Sequence, residues 1–149
     1  LLEDLKDAPL TPPTPRGGNH PLWVLGHITF VEAGIPRVLF GEPHPLADWG
    51  HLFAPGTEPK PEAAAYPSFD ELLKAFRTAR ARNMQILDQL GEAGLDQPTQ
   101  KPLQGLEQMM RTAGDTFLIL AMHHMHHRGQ LADVRRALGR KPLFTPGPN

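Results

Sequence analysis

The stretch His123-His124-Met125-His126-His127-Arg128-Gly129-Gln130 holds four of the eight histidines of this chain. In a helix, residues four apart stand one above the other on the same face, so His123 and His127 can close on a single metal ion while His124 and His126 point elsewhere. At roughly 100° per residue, Thr116, Ile119, Leu120, His123, His127, Gln130, Val134 and Leu138 share one stripe. The paired histidines therefore lie on the face that an amphipathic helix buries. Imidazoles in an apolar stripe need partners for their ring nitrogens, and a bound cation supplies them. Arg128 falls off this face and is expected to pair with a surface or dimer-interface carboxylate.

A metal centre needs a third ligand. The segment Asn19-His20-Pro21-Leu22-Trp23-Val24-Leu25-Gly26-His27 reads as a helix start, with Asn19 as the cap and Pro21 in the first turn. Trp23, Val24, His27, Phe30, Val31, Gly34 and Val38 then recur at helical spacing, which places His27 on the core stripe. His20 lies on the same stripe and is its rival; Pro36 is expected to kink this helix near Gly34.

These two segments, GGNHPLWVLGH ending at His27 and HHMHHRGQLADVRRALG beginning at His123, resemble the DinB/YfiT-like superfamily of metal-dependent proteins, which is distinct from the DNA polymerase sharing the name. The resemblance spans nearly the whole chain and implies an all-α fold: a four-helix bundle holding a divalent ion through one histidine on its second helix and an HxxxH pair on its last. Carried over, the ligands are His27, His123 and His127. Zinc or nickel is the expected ion, with iron or manganese as alternatives. The resemblance also implies a homodimer and, for some members, transfer chemistry with a low-molecular-weight thiol. Relatives often carry an acidic residue after the first histidine of the pair, where this chain has His124. The same residue excludes a zincin protease, whose HExxH motif uses Glu there as a base. No Glu has a His three residues later, which disfavours a di-iron bundle.

At 149 residues the chain reads as one domain, residues 1–149, large enough to bury a core. It has no cysteine, so thiol chemistry must use a cosubstrate. A net charge of -1 and a pI near 6.8 argue against nucleic acid as the partner. The cluster Arg135, Arg136, Arg140 and Lys141 is read as favouring a helix C-terminus. No apolar run is read as long enough to span a bilayer and no signal pattern opens the chain, so the cytoplasm is the expected location. Leu1-Leu2-Glu3-Asp4-Leu5 reads as the tail of the family's first helix.

Ser68-Phe69-Asp70-Glu71 spells a capping box. The helix it opens turns Phe69, Leu72, Leu73, Phe76, Asn83, Leu87 and Leu90 inward and stops at Gly91 and Gly94, with Arg77, Arg80 and Arg82 on a solvated face. A short helical piece is expected from Leu106 to Met110, with Met109 and Met110 as core filler, and a last helix from near Ala113. Between the second and third helices lies a long Pro/Gly-rich loop, residues 41–67. Its His44, Trp49, His51 and Phe53 suit either a lid over the metal pocket or a packed loop sealing the bundle end; His51 is a candidate fourth ligand.

Three neutral imidazoles leave coordination positions open, as catalytic sites do. The expected function is a metal-dependent transferase acting on a small molecule with a low-molecular-weight thiol. The alternatives are a metal-dependent hydrolase and a non-catalytic metal-binding stress or dimerisation protein.

Overall fold

The computed structural model describes residues 2–15 and 17–141, and these form four α-helices with no strand beyond two isolated bridges. They are α1 (Pro21–Phe40), α2 (Gly50–Phe53), α3 (Phe69–Gly94) and α4 (Ala113–Ala137). The long helix α1 packs against each of the other three. It is buried on every side rather than along one stripe: Leu25, Ile28, Thr29, Glu32 and Ala33 join the expected Trp23, Val24 and His27 inside. By length and composition α1 could cross a membrane, which corrects the expectation that no run was long enough. With 72% of that window buried inside the fold, α1 is a core helix.

Local chemistry fixes the helix ends. The cap of α1 is His20 and not Asn19, because an imidazole Nδ1 lone pair accepts from Trp23 N–H at 3.1 Å as an asparagine oxygen would. The helix runs unbroken through Pro36, and Gly41 ends it in the left-handed region at φ 71°. Its orphaned Val38 carbonyl accepts from Gln100 and Lys101 N–H. The Ser68/Glu71 box opens α3, and a second box, Thr112 with Asp115, opens α4. Gly91, at φ 57°, interrupts α3 before its end at Gly94.

Several expectations are corrected. The segment at the front is only a 3-10 turn, Glu3–Leu5, and its Leu1 lies outside the described residues. No helix forms between Leu106 and Met110; Met110 is buried, but Met109 is 51% exposed. Leu138 also lies outside the buried stripe of α4. The arginines of α3 are paired rather than merely solvated: Arg77 with Glu3, Arg82 with Glu42, and Arg80 with the buried Glu32. Arg135 and Arg140 reach Asp4 and Asp7, tying the front of the chain to the end of α4.

Residues 41–67 fold into short turns, Ala47–Trp49, α2 and Ala63–Ala65. Phe53 anchors them with no exposed surface. Its ring lies so close to α1 that a Cβ on Gly26 would stand 2.1 Å from Phe53 Cε1. The ring has no solvent side to retreat to, so a methyl group here forces the elements apart. Gly26→Ala is expected to cost about 1–3 kcal/mol, read as a lower thermal midpoint; an unchanged midpoint would show that this contact is loose.

Candidate metal centre

His27 from the second turn of α1 meets His123 and His127 from the middle of α4. The Nε2 of His123 lies 3.0 Å from His27 Nε2 and 3.0 Å from His127 Nε2. One ligand atom from each ring falls within 4.8 Å of the others. Tetrahedral coordination at 2.0–2.1 Å would set such nitrogens about 3.3 Å apart, so the two 3.0 Å spacings need to open by only about 0.3 Å to match a ligand set.

The outer nitrogens decide where the protons sit. His27 Nδ1 is 2.7 Å from the Phe53 carbonyl, which can only accept, so Nδ1 carries the hydrogen and Nε2 presents a lone pair. His127 Nδ1 donates to Gln130 Oε1 at 2.9 Å. Asn19 Nδ2 approaches the same oxygen at 3.5 Å. Two lone pairs thus face His123 Nε2, which can donate to one of them at most. His123 Nδ1 is buried and has no hydrogen-bond partner. A cation between the rings resolves the facing lone pairs, and this is the fit expected of a three-histidine ligand set.

Electrostatics keep the rings neutral. Burial, reinforced by the neighbouring imidazoles, lowers the pKa of His123 to about 3. Burial lowers that of His127 to about 4 against the opposing hydrogen bond it donates to Gln130, and burial also lowers His27. At neutral pH all three therefore offer lone pairs. Trp23 stacks on His27 at 4.7 Å between centroids and shields one face of the ring.

The remaining histidines are placed elsewhere. His20 spends Nδ1 on the α1 cap and donates through Nε2 to Lys60 O at 3.1 Å, so it is no rival for the trio. His44 donates to Phe30 O and accepts from Leu46 N–H. His51 is exposed and bonded to Asp48 O, outside the trio. His126 touches Gln130 Nε2 at 3.1 Å, and Arg128 contacts Met125 Sδ. His124 turns to the opposite side, where its Nε2 stands 2.8 Å from Glu32 Oε1. Arg80 Nη2 reaches the same oxygen at 2.6 Å, and Asn83 Nδ2 donates to Oε2. Sequence reasoning missed this buried carboxylate.

The trio stands at the wall of a cavity of about 500 Å³ between α1 and α4. Phe30, Val31, Ile35, Leu106 and Met110 make much of its lining apolar, and Pro55 and Gly56 bring the 41–67 segment to its rim. An ion held by three rings would thus face a space able to admit a small molecule.

The family model of the DinB superfamily matches residues 1–131. No curated protein matches the chain, and no solved structure does.

Proposed function

The chain belongs to the DinB superfamily, and on that premise we propose that it is a divalent-metal-dependent transferase using a low-molecular-weight thiol, with His27, His123 and His127 as the ligands. The observation that carries the reading is the convergence of three neutral Nε2 atoms at the wall of an apolar cavity. When bound, the ion would supply Lewis-acid activation of a thiol; zinc or nickel suits imidazole ligation, with iron or manganese behind them. Phe53 O and Gln130 Oε1 fix the tautomers of His27 and His127, so that each ring is aimed before the ion arrives. Trp23 and the apolar wall restrict water around the reacting atoms. With no cysteine in the chain, the thiol has to be brought in.

In this reading α1, α3 and α4 are members of the family's four-helix bundle, and the 41–67 segment shapes the substrate site. Leu118, Met122 and Met125 are 61%, 55% and 60% exposed along α4, and they support a homodimer built on that face, which sedimentation velocity would measure. Hydrolysis is the second reading, since nothing in the cavity discriminates an incoming thiol from water.

The test is metal content and thiol dependence together. Tag-free protein reconstituted with zinc or nickel is expected to hold near-stoichiometric ion, and His27→Ala to lose it. The loaded protein is then expected to consume a model alkyl halide only when a thiol is added. Turnover without thiol would make it a hydrolase, and absent metal in wild type would remove the enzymatic reading altogether.

A further inference from the structure

The cavity beside the trio carries positive charge at an exposed rim residue, Arg37, and has no acid in its described lining to pair with it. Its described lining contains no Asp or Glu, and Arg37 is its one permanently charged side chain. Arg37 stands on α1 beyond His27, roughly 15 Å further along the axis at 1.5 Å per residue. The arginines of α3 each have a carboxylate: Arg77 has Glu3, Arg80 has Glu32 and Arg82 has Glu42. Among the described residues, the Arg37 side chain has no hydrogen bond or ion pair. Glu42, the nearest acid beyond the end of α1, is taken by Arg82 at 2.6 Å. His44, on the same wall, has both ring nitrogens occupied and offers no counter-charge.

Three neutral ligands leave the full charge of a divalent ion uncompensated at one end of this space, and Arg37 adds a second positive site at the rim. A neutral apolar substrate would pair with neither, leaving Arg37 to solvent, whereas an anion would engage both. Arg37 lies in the last turn of α1, where the helix dipole favours a cation. That explains the charge but not its presence on a wall free of acids.

We infer that the cavity takes an amphiphilic anion: a molecule with an apolar body against Phe30, Val31 and Ile35, a carboxylate or similar oxyanion held by Arg37, and its reactive group at the trio. The planar guanidinium can grip a carboxylate through two parallel N–H donors. The reactive end rests on the metal-centre reading above, while the anion preference rests on Arg37 and the acid-free lining.

The experiment is calorimetric titration of the full chain, metal-free and zinc-loaded, with 8-mercaptooctanoate, its neutral counterpart 8-mercaptooctan-1-ol, and octanoate. The two acids are expected to bind about tenfold tighter than the alcohol to metal-free protein, as a charge-assisted hydrogen bond partly screened at a rim provides. Arg37→Met is expected to erase that preference and Arg37→Lys to keep most of it. Equal binding of 8-mercaptooctanoate and the alcohol to metal-free wild type, or an unchanged preference in Arg37→Met, overturns the inference. Zinc is expected to add affinity for the mercapto acid over octanoate. If zinc adds nothing while the Arg37-dependent preference persists, the metal-centre reading fails and the anion site stands.

Discussion

His127→Ala is expected to abolish tight divalent-metal binding, whereas His126→Ala leaves it nearly intact. The two residues are neighbours in one helix and identical in chemistry, so the contrast isolates geometry. His127 Nε2 is 3.0 Å from His123 Nε2 and the residue is 5% exposed. His126 is exposed and, among the described residues, meets Gln130 and the edge of the His127 ring. Loss of a residue that merely orients a ligand typically costs 10–100-fold in affinity, so loss of a ligand should exceed roughly 100-fold, while loss of the Gln130 contact should stay within about tenfold. Competition with a chromophoric chelator gives the affinities, and elemental analysis after dialysis gives the stoichiometry. Equal metal loss in both variants would show that the assignment of faces on α4 is wrong. The metal-free thermal midpoint of His127→Ala is the control for folding. It should fall little, because the substitution also removes one of the facing lone pairs.

The HxxxH pair and an inward histidine on the first long helix were legible from two periodicities, while the set of three came from the family resemblance. His123 and His127 are four apart within a helical stripe, and His27 sits on a stripe of its own. Choosing between His27 and His20 was beyond periodicity, since both share that stripe. The choice follows from the cap: His20 has left the helix proper and its nitrogens are committed to Trp23 N–H and Lys60 O. The capping box at Ser68 and the start of α4 near Ala113 were equally readable, because each depends on residues within one turn. What was not readable depends on distant partners. The turns within residues 41–67 follow from where Phe53 packs on Gly26, and nothing local announces that contact. Burial of α1 on every side follows from its position against α2, α3 and α4, which a search for one apolar stripe does not detect. A usable signal was present all the same. Glu32 and Arg37 are the only formally charged residues in the apolar stretch Pro21–Phe40, and a lone acid in such a helix asks for a cation elsewhere. Glu32 has one in Arg80; Arg37 has no such partner among the described residues.

That pairing sets the second large effect, on stability rather than metal. Arg80→Met keeps most of the side-chain stem but removes the guanidinium from Glu32, whose carboxylate has no exposed surface. His124 and Asn83 remain beside it, but no permanent positive charge does. Removing one partner of a buried ion pair costs about 3–5 kcal/mol. Because the Arg80 side chain is 40% exposed, water screens part of the interaction, and about 2–3 kcal/mol is the expected loss. For a chain of this size that lowers the thermal midpoint by roughly 4–12 °C. Arg77→Met is the matched control on the same helix. Its pair with Glu3 is exposed on both sides, at 66% and 67%, and its loss should fall within about 0.5 kcal/mol. Glu32→Gln added to Arg80→Met should recover part of the difference, since an amide keeps an oxygen for Asn83 without a buried charge. If Arg80→Met costs no more than Arg77→Met, the carboxylate is solvated in solution and the network does not hold α1, α3 and α4 in register. If the cost appears, it also reaches the metal centre, because His124 ties α4 to Glu32 immediately beside His123, and the ligand spacing depends on how α4 is set against α1.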